Sequence, residues 1–224
     1  MTLYVVGTPI GNLGDITERA KDILGSVDLI LCEDTRVTGG LLSKLGIKTK
    51  MAALHQHTKD SVHAKYVKLL REGHDLALVT DAGTPGISDP GGKFVELAVA
   101  ELGEELHVSP IPGASAVATI LSVSGMPADT FRFLSFPPHK KGRQTFFQEL
   151  KNMPETVVFY ESTHRIKKAM EQLVESVPER KMVLGRELTK MHETIYRGTP
   201  SEVTEALKAG SLKGEFVIVL APQK

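Results

Sequence analysis

Residues 80–92, TDAGTPGISDPGG, put four Gly, two Pro, two Asp, two Thr and one Ser directly after the apolar run 76–79. Glycine lets main chain approach a ligand closely, proline holds a turn rigid, and short hydroxyls and carboxylates add polar contacts without bulk. The stretch reads as a small-molecule loop at a strand end or as a surface turn that needs positive φ. Other loops of similar character also follow apolar runs, which favours the ligand loop. EDTR at 33–36 sets Glu33, Asp34 and Arg36 just past one such run. Burying unpaired charge there is costly, so at least one carboxylate is expected to pair with Arg36, and a direct substrate role stands beside that pairing. YESTHR at 160–165 groups Tyr160, Glu161, His164 and Arg165, and RELTKMHE at 186–193 groups Arg186, Glu187, Lys190, His192 and Glu193. Each is expected to follow a strand and open a helix, so the two clusters face one site or form a solvated ion-pair network. PPHKKGR at 137–143 carries Lys140, Lys141 and Arg143, a set suited to phosphate contacts or to a plain solvated charge run.

Several chemistries are disfavoured. Gly7, Gly11 and Gly14 do not fit the dinucleotide spacing GxGxxG, and no GxxxxGK followed by Ser or Thr occurs. His55 and His57 have HxH spacing without a third ligand in view, so no metal is expected. Cys32 is the only cysteine, which excludes an internal disulfide and points to a reducing compartment. The start of the chain goes straight into a strand-like run, and no stretch reaches the ~20 apolar residues of a membrane span. A cytoplasmic protein with no membrane partner is expected. Residues 1–112 hold 11 Lys and Arg against 15 Asp and Glu, and residues 113–224 hold 16 against 12. A polyanionic partner should therefore touch the second half more.

The elements that must position these groups alternate. Strands are expected at 3–6, 27–32, 51–54, 76–79 and 106–109. Helices are expected up to about Leu24 after a cap at Asp15 or Thr17, and at 38–45, from Asp60 to 71, at 94–102 and at 114–123. Such alternation means crossover units on a mostly parallel sheet covered on both faces, and these sheets bind ligands beyond the carboxyl ends of their strands. After the Gly/Pro-containing break at 124–133 the pattern changes. It runs strand 131–135, helix 144–151, strand 156–160, helix 165–174, strands 182–184 and 194–197, a helix capped near Ser201, and strand 215–220. The expectation is two α/β domains with a cleft between them: 1–112 with a parallel-rich sheet, a connector 113–130, and 131–224 with a mixed sheet.

In order along the chain, GTPIGNLGD, EDTR, TDAGTPGISDPG, IPGASA, YESTHR, RELTK and the terminal GEFVIV resemble one family, ribosomal RNA small subunit methyltransferase I. The resemblance implies the tetrapyrrole-methylase fold, S-adenosylmethionine (SAM) in the interdomain cleft, a homodimer, and methylation of a cytidine ribose 2′-oxygen in the decoding region of 16S rRNA on the small ribosomal subunit. It implies cofactor contacts from Pro9, from Gly83, Thr84, Pro85, Gly86 and Ile87, from Ala114, Ser115 and Ala116, and from Phe159, Tyr160, Leu188, Gly214 and Glu215. Asp81, Asp89, Glu33, Asp34, Arg36, Glu161, Arg165 and Glu187 are left to face the ribose. Lys140, Lys141, Arg143, Glu161, His164, Arg165 and Arg186 are the expected RNA contacts. Methyl transfer is an in-line displacement that needs alignment, and a carboxylate can take the hydroxyl proton, here Glu33, Asp34 or Asp81. The chain departs from the family's pattern at Ser135, where Gly is expected, and at Thr163, where Pro is expected. Many relatives continue past GEFVIV with a small helical domain that this chain, stopping at Lys224, is expected to lack.

Overall fold

Short apolar runs separated by amphipathic helices dictate the first half of the computed structural model, which describes residues 1–55 and 58–223. The chain forms two compact units, Met1–Ser115 and the part from Ala116 onward. In the first, β1 (Thr2–Val6), β2 (Leu29–Cys32), β3 (Met51–Ala53), β4 (Leu76–Leu78) and β5 (His107–Ile111) pair in parallel in the order β3-β2-β4-β1-β5. The side-chain period of two divides their apolar residues between the faces. Leu3, Leu31, Leu76 and Leu78 pack with α3 (Asp60–Arg71) and α4 (Gly91–Leu102). Val6, Ile30, Cys32 and Ala77 pack with α1 (Glu18–Ser26) and α2 (Thr35–Leu45). Phe94 of α4 is fully buried, and its truncation to Ala would cost about 3–5 kcal/mol.

In this unit α2 and α4 each begin three residues earlier than their apolar pattern suggests, and in both a carboxylate is the reason. α2 starts at Thr35 because Asp34 caps it, accepting from the Arg36 amide at 2.8 Å. α4 starts at Gly91, whose amide donates to Asp89 at 2.8 Å, so two helix-averse glycines are held in its first turn.

In the second unit, β6 (Phe131–Phe133), β7 (Thr156–Ser162), β8 (Met182–Arg186), β9 (Thr194–Gly198) and β10 (Glu215–Leu220) form the order β6-β7-β10-β8-β9. Only β6 and β7 are parallel, so the sheet is mixed as expected. Val157, Phe159, Phe216, Ile218, Met182 and Leu184 bury against α6 (Arg143–Leu150), α7 (Ile166–Ser176) and α8 (Pro200–Ala209). α5 (Ala116–Ser124) lies on the strands too, and a Cβ at Gly185 would meet Ile120 Cδ1 at 2.8 Å. α8 is capped by Thr199 in a capping box with Glu202, two residues ahead of the expected Ser201, with Pro200 in the first turn.

RELTKMHE does not open a helix. Glu187 at φ +51° and Thr189 at φ +67° turn the chain tightly between the antiparallel strands β8 and β9, in backbone regions that a right-handed helix excludes.

Candidate functional site

In the first unit four loops leave the carboxyl ends of β1, β2, β4 and β5, and hydrogen bonds join them. Thr8 N donates to Gly83 O at 2.9 Å and Gly83 N returns to Thr8 O at 3.2 Å. The Thr8 hydroxyl, 2% exposed, reaches Thr80 O and Gly83 O. Thr84 Oγ1 donates to Ala114 O at 3.2 Å. Gly7 and Gly113 meet so closely that a Cβ on either would sit 2.7 Å from backbone of the other. Within the β4 loop, Gly83 (φ +92°), Gly86 (φ +86°) and Ser88 (φ +69°) are left-handed. The Asp89 carboxylate holds that shape by accepting from Gly86 N, Ile87 N and Gly91 N at 3.0, 3.1 and 2.8 Å. Gly86 and Ile87 remain exposed, so the loop offers open main chain on a fixed frame.

Three carboxylates at this edge differ in their surroundings. The Asp34 side chain is held by Arg36 Nη2 at 2.6 Å, and its bonds to the Arg36 side chain and amide keep the carboxyl well below the usual range. Asp81 accepts from the Asp34 amide at 3.0 Å. Glu33 accepts from the Thr80 hydroxyl at 3.2 Å, and burial followed by the nearby Asp81 charge raises its carboxyl above the ordinary value. Glu33 is therefore a stronger base than its neighbour Asp34.

The second unit contains a buried ion triad. The Glu161 side chain is fully enclosed and lies 2.9 Å from both Arg143 Nη2 and Arg165 Nε. This corrects the expectation that Glu161 and Arg143 face RNA: the two neutralise each other inside the protein. Arg165, mostly enclosed, also donates to Pro137 O at 2.9 Å and to Ser162 Oγ at 3.1 Å. Near the β8–β9 turn, Glu187 Oε1 accepts from Lys190 Nζ at 3.0 Å and Glu215 N at 2.9 Å. Burial works against the Glu187 charge, but the Glu215 amide and Lys190 outweigh it and lower the carboxyl's pKa. A Cβ at Gly214 (φ +124°) would meet Glu187 Cγ at 2.6 Å, so only glycine fits beneath this turn. Arg186 donates to Lys213 O and His192 O at 2.7 and 3.0 Å, engaged with main chain.

The expected cofactor residues divide between the units. Pro9, Gly83–Ile87, Ala114 and Ser115 lie on the joined loops of the first. Ala116, Phe159, Tyr160, Leu188, Gly214 and Glu215 belong to the second. There the Phe159 ring is core, packed edge-on to Phe146 and Phe147, and Leu188 is buried, so Phe159 offers a ligand no side-chain surface. Lys140, Lys141 and His164 are exposed. Among the described residues no cluster of His, Cys, Asp or Glu could hold a metal, and His57 lies outside them. Thr8 and Thr80, which the sequence does not single out as site residues, brace the loops with their hydroxyls; each is a small hydroxyl residue within two positions of the end of an apolar run. Ser135, where glycine was expected, stands at φ +56°, in the region glycine favours. Thr163 replaces the expected Pro with a hydroxyl that accepts from Gly214 N at 2.8 Å.

A sulfonium cofactor carrying an amino-acid end fits the chemistry of the first-unit loops: exposed main chain at Gly86 and Ile87, no bulky side chain at the glycines, and carboxylates beside them. Residues 2–204 match the tetrapyrrole (corrin/porphyrin) methylases. Among curated proteins, the chain is 42% identical to ribosomal RNA small subunit methyltransferase I of Halalkalibacterium halodurans over 98% of its own length and 75% of the relative's. It is 43% identical to the Leptospira biflexa protein of that name, over 99% and 91%, and 44% identical to the Escherichia coli one, over 99% and 78%. Among solved structures, a cobalt precorrin-4 methyltransferase aligns with TM-score 0.70 at 18% identity, covering 98% of this chain and 94% of that one. A uroporphyrin-III-C-methyltransferase from Thermus thermophilus aligns with TM-score 0.65 at 21%, with the same coverage. Those structural likenesses establish the fold alone, whereas the sequence matches reach further: the chain belongs to the tetrapyrrole methylases and, within them, to the ribosomal RNA small subunit methyltransferase I family.

Proposed function

We propose that this protein is a SAM-dependent methyltransferase acting on the ribose 2′-oxygen of a cytidine in the decoding region of 16S rRNA. The observation that carries the reading is its 42–44% identity, over 98–99% of the chain, to proteins named ribosomal RNA small subunit methyltransferase I. When bound, SAM supplies a methyl group activated by its sulfonium. Main chain of Gly83, Thr84, Pro85, Gly86 and Ile87 would hold it on the frame fixed by Asp89. Glu33 accepts the ribose hydroxyl proton at its carboxylate, oriented by Thr80 and made more basic by burial and by Asp81. Asp34 and Arg36 act as a helix cap and its brace. Such a base contributes ~10²–10⁴ in rate, the rest coming from alignment. The substrate would place the activity in the cytoplasm, and homodimerisation belongs to the same reading, to be checked by sedimentation. Radiolabelled SAM offered with undermethylated small subunits, or with a corrinoid precursor, tests the proposal. Label in the RNA alone supports it, and label in the corrinoid alone overturns it.

A further inference from the structure

The buried triad Arg143–Glu161–Arg165 flanks both ends of the basic loop. Arg165 Nη1 donates to Pro137 O at 2.9 Å and Arg143 Nη1 to Pro138 O at 3.4 Å, while Arg143 N closes the far end on Lys140 O at 3.2 Å. Arg143 is further fixed by Gln172 Oε1 at 2.9 Å, and Arg165 lies 5.8 Å from the Phe136 ring centre. Both guanidiniums are spent inward, so His139, Lys140 and Lys141 are the groups the loop shows to solvent. A buried ion network is weak as a stabiliser, since desolvation offsets most of its attraction. What it does well is fix geometry, and here the geometry fixed is that of a short cationic loop. Two arginines against one carboxylate also leave a net positive charge directly behind it.

We propose that residues 137–142 form a pre-ordered grip for the RNA phosphate backbone, and that Glu161 is its positioning residue, setting the loop through Arg143 and Arg165. The inference rests on the methyltransferase reading above for the identity of the RNA. A loop whose main chain is already held loses less freedom on binding, so the grip gains affinity by pre-organisation as well as by charge.

The test measures binding of the full chain to small ribosomal subunits across salt concentration, with SAM affinity measured in parallel. Lys140→Ala/Lys141→Ala is expected to bind more weakly and to flatten the slope of log affinity against log salt by about 1.5, since each phosphate contact releases ~0.7–0.9 counterions. Glu161→Gln should flatten the slope similarly, leave SAM affinity unchanged, and add little when combined with the double substitution. If Glu161→Gln does not fold, Arg165→Gln, which removes the bond to Pro137 O, takes its place with the same expectation. Wild-type slope and affinity in the double variant would overturn the grip. Additive losses, or a loss confined to SAM binding or melting temperature, would overturn the positioning role. A protein that binds subunits through this loop but methylates none would leave the grip standing and remove the proposed function. One that methylates them with the loop silent would do the reverse.

Discussion

Gly7→Ala would place a Cβ 2.7 Å from both the Cα and the N of Gly113. The obstacle is backbone, which cannot rotate away, so the ends of β1 and β5 must separate. Overpacking of this kind costs about 1–3 kcal/mol. Separation also strains the bond from Gly7 N to Ile111 O, 2.9 Å long, worth roughly a further 0.5–1.5 kcal/mol. A loss of about 2–4 kcal/mol would lower the melting temperature of the first unit by roughly 10 °C. The same movement displaces the loops carrying Pro9 and Ala114, so SAM affinity by calorimetry should fall about tenfold or more, the equivalent of ~1.4 kcal/mol. Gly40→Ala is the control. Gly40 lies exposed within α2 with nothing within 4 Å of an added Cβ, so this substitution should stabilise by about 0.5–1 kcal/mol. If Gly7→Ala melts like the wild type and binds SAM equally well, the close approach of the two loops is not what shapes this edge of the sheet.

Other outcomes follow from the same geometry. Glu33→Gln should slow single-turnover methyl transfer by ~10²–10⁴ and remove the rise of rate with pH. Because the folded Glu33 pKa is raised, ionising it opposes the fold: the cost is absent while the group is protonated in both states and grows as pH rises from the ordinary carboxylate value through the raised folded one. The same variant should therefore melt higher near neutral pH, with the gain vanishing below the ordinary carboxylate range. Asp89→Ala removes three amide contacts from the β4 loop and should weaken SAM binding, with stability lowered by about 1.5–3 kcal/mol in denaturant titration. Ser135→Gly relieves a left-handed serine and should stabilise by about 0.5–1 kcal/mol, the released strain exceeding the added freedom of the unfolded chain.

Periodicity made the architecture legible. The run 76–79 with its Gly/Pro loop and the repeated strand–helix alternation required a parallel sheet with loops at one edge, and β4 stands at the centre of that sheet. Local spacing also required a carboxylate of EDTR to pair with Arg36, and the one that does is Asp34, two residues away. What stayed hidden depends on partners distant in sequence. Glu161 looks solvent-facing in YESTHR, and its burial depends on Arg143, 18 positions earlier, joining Arg165 against its carboxylate. Glu33 and Asp34 look alike in EDTR, and their proton affinities separate because burial and then Asp81, which arrives from another strand, raise Glu33 while Arg36 lowers Asp34. The turn at RELTKMHE has a helical composition, and its left-handed Glu187 and Thr189 are imposed by β8, β9 and the end of β10.

The central claim is most directly tested by nucleoside mass spectrometry of 16S rRNA, after undermethylated small subunits have been incubated with the purified protein and SAM. The account predicts one new 2′-O-methylcytidine, mapped to the decoding region, and its loss with Glu33→Gln. A methyl group on a base, or unmodified RNA from a protein that binds SAM normally, would contradict it.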